Sequence, residues 1–375
     1  MTSNHIAEQR NLSTLAGSST SLKFDSDFCA YQESGRKSLH DICSQINYHL
    51  AFTREYEHAF GIITAASSEL AISYLEMPHP SGIARGHDGS IYVLSTRTPH
   101  LLYRFRQMQD SGHEHYLIPD LIKVLPGCLY AHELLAIDSR LFMNATGLNK
   151  VVSLPINFTG ELRTDYLPGF IPDGLTNCMQ LNSLCRDHTN TFYSTCFSTI
   201  KSTFKPWKDE VGPLNKGGII RHSDDQVIVR DLTCPHSARI RDNRLFYCNS
   251  GFGEVRSCNL DGSDDTVIAT VDGFTRGLII HDDFIFVGLS RVQEGKNQYA
   301  PGVSPQSSKC GIATIDRHSG EIVNILEWGN GAQIFDIQLI PREAGQALYL
   351  PQSRDTSLND APSRLFYELH AWPLI

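Results

Sequence analysis

The sequence predicts an all-β fold, a six-bladed β-propeller, and three observations carry that prediction. A short apolar strand core keeps returning, a second strand with a polar start precedes each copy, and long helical periodicity is absent. The returning cores are Ile91-Tyr92-Val93, Leu141-Phe142-Met143, Phe192-Tyr193-Ser194, Leu245-Phe246-Tyr247, Ile285-Phe286-Val287 and Leu348-Tyr349-Leu350. They start 50, 51, 53, 40 and 63 residues apart, the spacing of one four-stranded blade each when loop lengths vary.

The preceding strands are Ser81–Ala84, Glu133–Ala136, Asn182–Cys185, Ser237–Ile240, Arg276–Ile279 and Asp336–Leu339. Between the strands of five pairs stand Asp88-Gly89, Asp138-Ser139, Asp187-His188, Asp242-Asn243 and Asp282-Asp283. Asp, Asn and Gly suit tight hairpins because they tolerate φ > 0 or bond their own backbone. One short helix is expected near Leu39–Leu50. Residues 1–45 read as an N-terminal tail or strap and 46–375 as the propeller.

Composition narrows the function. The chain has 375 residues, 41% hydrophobic and 19% charged, the balance of a globular protein. Lys and Arg total 32 against 41 Asp and Glu, a formal charge of −9, which argues against a nonspecific nucleic-acid binder. No apolar run approaches the ~18 residues of a membrane helix. Met1–Phe24 lacks the basic start and apolar stretch of a secretory signal. The ten cysteines show no C-x-x-C pair and read as buried thiols, so a cytoplasmic location is expected.

Two resemblances follow from motifs. The run Leu245–Ser263, with Asn249-Ser250-Gly251 and Asn259-Leu260-Asp261-Gly262, resembles the repeat of YWTD and NHL six-bladed propellers. A second set is more specific: Cys234-Pro235-His236-Ser237-Ala238-Arg239, Gly273-Phe274-Thr275-Arg276-Gly277-Leu278, Phe286-Val287-Gly288-Leu289-Ser290-Arg291, Cys310-Gly311 and Ile334-Phe335-Asp336. In this order they resemble an uncharacterised bacterial family known only as a domain of unknown function, over roughly residues 50–345. That resemblance implies a propeller and no established reaction. Where the family carries His-Leu-Asn-Gly this chain has Gln180-Leu181-Asn182-Ser183, so no role is carried over for that histidine.

In a propeller the first residues of the innermost strands face the mouth of the central channel. Here they are His79 and Ser81, His132 and Glu133, Asn182, His236 with Ser237 and Arg239, Thr275 and Arg276, and Asp336. Polar groups converging from six blades suit either a binding funnel or a merely wet channel. As a funnel, Glu133 is the expected general base and His236 the general acid/base. Arg276 and Arg239 match a carboxylate or phosphate, or else ion-pair with Asp336 or Glu133 and staple blades together. His132, Asn182, Ser237, Thr275, Ser290, Arg291 and Asp336 complete the candidate substrate contacts. Resemblance to gluconolactonase-type propellers implies a divalent cation such as calcium, with Glu133, Asn182 and Asp336 as oxygen donors. Zinc on His79, His132 and His236 is a weaker variant of that reading.

Two long loops, Gln293–Lys309 and Phe197–Gly218 with Trp207, are candidate lids or walls. Ser198-Thr199-Ile200-Lys201, Gly251-Phe252-Gly253 and His113-Glu114-His115 carry no partner motif and are set aside. The expected function is acid/base chemistry on a small anionic molecule. The rivals are a scaffold that binds a protein or peptide partner and a metal-dependent, lactonase-like hydrolase.

Overall fold

The computed structural model describes residues 26–66, 69–97, 100–109, 115–171, 174–200, 205–295, 297–342 and 347–348. His113-Glu114, Lys201, Tyr349-Leu350 and most of the N-terminal tail therefore lie outside the described residues.

Six antiparallel sheets stand around one axis. Their innermost strands are Pro80–Arg85 (blade 1), Ala131–Ile137 (blade 2), Leu181–Arg186 (blade 3), Pro235–Arg241 (blade 4), Phe274–Ile280 (blade 5) and Asp336–Pro341 (blade 6). All six contain the polar-start strands read from the sequence.

Both faces of a blade are buried against neighbours, so its strands are apolar on both sides and residue parity decides the interface. In blade 4, Leu245 and Tyr247 pack toward blade 3, while Phe246 and Cys248 pack toward blade 5. In blade 5, Phe284 and Phe286 join blade 6, and Ile285 and Val287 join blade 4. The core is thus six wedges between blades, one per interface. Asp242 and Asn243 both take φ near +50°, at 49° and 58°, which makes that hairpin the two-residue turn its sequence predicts.

The sixth blade corrects the sequence reading. Its second strand is Tyr48–Arg54, not Leu348–Leu350, and Ala59–Ala66 and Glu69–Glu76 follow it outward. Thr53 lies opposite Asp336 and Tyr48 opposite Pro341, so the two ends of the ring are hydrogen-bonded into one sheet. Ala347–Leu348 instead pairs in parallel with Tyr116 and Leu117 at the rim of blade 1. Upstream, Gln32–Gly35 adds a fifth strand to blade 5, against Ile322–Glu327.

The helix Leu39–Ile46 starts at Ser38, whose hydroxyl accepts from Asp41 N–H at 3.1 Å, and ends at Asn47 in the left-handed region. Its apolar positions 39, 42, 43 and 46 form one stripe, buried on blades 5 and 6. Among the described residues no helix is long and apolar enough to cross a membrane.

Candidate functional site at the channel mouth

Alternate blades converge on the axis. Glu133 of blade 2, Arg239 of blade 4 and Asp336 of blade 6 form one ion-paired triad. Arg239 donates to Glu133 Oε2 at 2.9 Å and Oε1 at 3.3 Å, and to Asp336 Oδ1 at 3.2 Å. Asp336 also accepts from the Ile83 N–H and Ile337 N–H, each at 2.9 Å. Burial, together with the facing Asp336 carboxylate, outweighs Arg239 and pushes Glu133 up to about 7.

One residue before Glu133 stands His132, and three before Arg239 stands His236, each held at Nδ1 by the same pair of partners, a backbone carbonyl and a hydroxyl. His132 Nδ1 lies 2.8 Å from Tyr130 O and 3.0 Å from Thr146 Oγ1. His236 Nδ1 lies 2.8 Å from Cys234 O and 2.8 Å from Ser250 Oγ. Both hydroxyls give their proton elsewhere: Thr146 to Leu181 O at 2.5 Å and Ser250 to Thr275 O at 2.6 Å. Each therefore accepts from the imidazole, and the carbonyl can only accept. Nδ1 carries the hydrogen in both rings and Nε2 carries the lone pair. Burial and the Arg276 charge hold His132 down to about 3 and His236 well below its usual range, so both are neutral bases.

The two are not equivalent. Gln180 meets His132 Nε2 at 3.3 Å, whereas His236 is boxed by Phe197 and Phe274, edge-on at 5.2 and 5.3 Å. The carbonyls that hold the imidazoles belong to Tyr130 and Cys234, which with His79 and Gln180 sit at φ +43° to +52° just before their inner strands. A left-handed Tyr, Cys or Gln costs on the order of 1–3 kcal/mol, and four successive blades share it. In blades 2 and 4 it turns the backbone carbonyl onto the ring.

Arg276 of blade 5 is 7% exposed, its guanidinium 3.2 Å from the Phe335 ring centroid, with Nη2 lacking a partner among the described residues. Its charge is felt by both imidazoles and is countered by Glu55, Tyr56, Tyr130 and Asp336. Glu55 is itself committed, to Arg97 at 2.7 Å and His79 at 3.4 Å. Burial would raise it, but those two partners hold it down to about 2. Tyr56, 46% exposed, and Arg97 mark the solvent side of this group.

Other candidates have structural partners. Ser237 Oγ accepts from Gly277 N–H at 2.9 Å and joins blades 4 and 5. Thr275 Oγ1 reaches Glu254 O, and Ser290 Oγ donates to Ile334 O. Arg291 is bonded to the Gly331, Ser308 and Gly329 carbonyls and to Glu327. Asn182 is 4% exposed, its amide nitrogen without a partner among the described residues.

The Gln293–Lys309 loop is anchored as a wall. Val292, Ala300 and Val303 pack on Phe274, and Gly302 bonds Gly251. Trp207 of the other loop meets Phe197, not the site. Both loops thus reach His236 through a phenyl ring.

The cation site does not fit these residues. All four carboxylate oxygens of Glu133 and Asp336 accept N–H groups, and a guanidinium fills the space between the two carboxylates. Among the described residues no three His, Cys, Asp or Glu side chains are grouped to hold a metal, which also removes the His79–His132–His236 variant. Glu133 as a free general base meets the same objection.

Sequence reasoning passed over Glu55, Tyr56, Arg97, Tyr130, Thr146, Ser250 and Phe335, and treated Gln180 only as a departure. One signal was available. Each site histidine is followed 14 residues later by a hydroxyl residue and then glycine, Thr146-Gly147 and Ser250-Gly251.

A family model described as a domain of unknown function (DUF4915) matches residues 37–348. No curated protein matches the chain. A chain of a nidogen/laminin complex is similar at 12% identity and TM-score 0.52, over 79% of this chain and 99% of that one. A protein of unknown function from Bacteroides caccae gives 12%, TM-score 0.52, and 78% and 99% coverage. A gluconolactonase from Xanthomonas campestris gives 15%, TM-score 0.45, and 68% and 77%. At these identities the likeness is one of fold.

Proposed function

The chain belongs to the DUF4915 family of domains of unknown function, and from its own geometry we propose an enzyme that binds a small anion at the channel mouth and moves a proton with His236. One observation carries the reading. The hydrogen-bond chain Ser250–His236–Cys234 leaves His236 Nε2 as a lone pair, close enough to Arg276 to feel its charge, while Arg276 keeps an unpartnered Nη2.

The anion sits on Arg276, whose fork matches two oxygens. His236 Nε2 then takes a proton from a C–H or O–H of the same molecule and becomes imidazolium. The bound anion assists. Burial is the main cause that holds the imidazole down, and the bound anion offsets the second, the guanidinium charge, so the base strengthens when substrate is present. His132, capped by Gln180, is a positioning residue. Glu133, Arg239 and Asp336 form the floor under the site.

The ligand is thus a small molecule, neither nucleic acid nor membrane. The nine cysteines from Cys43 to Cys310 are free thiols, which supports placing the protein in the cytoplasm.

The test is ligand-observed NMR with a panel of small organic acids, followed by proton-for-deuterium exchange of bound acids in D2O. Arg276→Gln should lose acid binding, and His236→Gln should bind but no longer exchange. A folded Arg276→Gln variant that binds acids like the wild type removes the basis of the reading. Protein or peptide binding that survives Arg276→Gln yet is lost on changing 293–309 favours the scaffold instead.

A further inference from the structure

We infer that the acid taken at this site is a hydroxy acid, with a hydroxyl a few bonds from its acid group; this rests on the anion-binding reading above. The argument comes from polar atoms at the starts of the inner strands that the fold buries and leaves without partners among the described residues. Arg276 Nη2 and the Asn182 amide nitrogen are donors, and Gln180 Oε1 is an acceptor. Their side chains are all more than nine-tenths buried, at 7%, 4% and 6% exposure. A protein that buries such atoms unpaired pays heavily unless a ligand meets them.

The sense of the Gln180 amide is fixed by chemistry. Thr146 donates to Leu181 O, so it accepts from His132 Nδ1–H, so His132 Nε2 holds a lone pair. Only the NH2 group of Gln180 can satisfy that lone pair, and Oε1 must be turned away as an acceptor. Gln180 therefore presents the opposite polarity to Arg276. A ligand complementary to both has anionic oxygens at one end and a hydrogen donor at the other. His132 joins the two ends, since it bonds Gln180 and packs at 5.7 Å against the Phe335 ring that also carries the Arg276 guanidinium.

The donor is a hydroxyl rather than an ammonium. Of the carboxylates at the mouth, Glu55 is taken by Arg97 and His79, and Glu133 and Asp336 by Arg239. An ammonium would meet Arg276 where each of these carboxylates already has an arginine partner. A hydroxyl carries no charge and can donate to Gln180 while the acid group lies on Arg276. It also places an acidic O–H, or the C–H beside it, within the molecule that His236 acts on.

The experiment compares matched acids on the intact protein: lactate against propionate, 3-hydroxybutyrate against butyrate, and alanine as the amino counterpart. Dissociation constants come from NMR titration. At least one hydroxy acid should bind tenfold or more tighter than its deoxy partner, about the minimum for a buried acceptor satisfied by one ligand and left bare by the other. In Gln180→Met that advantage should fall to within about twofold. Equal binding of hydroxy and deoxy acids by the wild type, or tighter binding of alanine, overturns the hydroxyl inference and leaves the anion reading standing. Binding of none of these acids removes both. The wild-type comparison needs no variant, so it holds even if Gln180→Met fails to fold.

Discussion

Arg239 bonds both carboxylate oxygens of Glu133, reaching across the channel from blade 4 to blade 2, and the same guanidinium also holds Asp336 of blade 6. Removing the guanidinium leaves two buried carboxylates facing each other. Arg239→Met should therefore lose about 3–5 kcal/mol of stability in urea unfolding. Glu133→Gln should cost less than half of that, because Arg239 keeps Asp336. A variant Arg239→Met as stable as the wild type would show that the triad is not desolvated.

The same pairing governs metal binding. Metal analysis of purified protein should find no stoichiometric divalent cation, and EDTA or calcium should leave the melting temperature unchanged. A cation present at one per chain, and lost in Glu133→Gln, would contradict the assignment of those oxygens to Arg239.

His132 and His236 should both be neutral Nδ1–H tautomers. Nitrogen-15 imidazole spectra should show neither ring titrating between about pH 8 and pH 5, where an ordinary histidine passes its midpoint. Ser250→Ala removes one of the two acceptors on His236 Nδ1 and should raise the fraction of the other tautomer. A titration of either ring near pH 6.5 in the wild type contradicts the burial argument.

Stability should fall in mild acid. His49 is held down to about 4 by burial, and His132 and His222 to about 3. Unfolded, each takes a proton as pH drops below 6.5; folded, each refuses it until its own lower value. Each thus costs about 1.4 kcal/mol per pH unit below that point. Glu133 works in the opposite sense. The folded state binds its proton near 7 and the unfolded state only near 4.5, so this one group gains as pH falls between them. Asp336, raised by burial, acts in the same sense as Glu133, and His100 and His236, held down by burial, act with the other histidines; five imidazoles outweigh two carboxylates, and the urea midpoint should be lower at about pH 5 than at about pH 7. His222→Gln should flatten the dependence.

Gly277 tests the close approach of blades 5 and 6. Its φ is +70°, and a Cβ there would lie 2.8 Å from Asp336 Cα. Gly277→Ala should cost roughly 1–3 kcal/mol or more, combining strain and overlap. Gly89, at φ +80° with open space around it, pays only the conformational part, so Gly89→Ala should lower the melting temperature distinctly less.

Much of the fold was legible because each blade carries its own local signal. Cores such as Ile285-Phe286-Val287 are apolar on both faces, since both faces are buried, and Asp242-Asn243 turns between strands need nothing from afar. Leu348-Tyr349-Leu350 misled for the same reason. It resembles a second strand, but the ring closes with Tyr48–Arg54, a pairing of residues nearly 300 apart that no local pattern announces.

The site divides along the same line. The sequence by itself determined the blade repeat, the six inner strands and the polar residues at their starts, because these follow from alternation and turn chemistry within some tens of residues. Which of those residues meet was decided by the ring. Closure brings Glu133, Arg239 and Asp336 together from alternate blades, and once they meet, Coulomb attraction in a buried channel binds them to each other. It likewise brings Glu55 and Arg276, from blades 6 and 5, close enough to share charge around two histidines. Sequence spacing fixes distance along a strand; distance across the channel exists only after six wedges have packed.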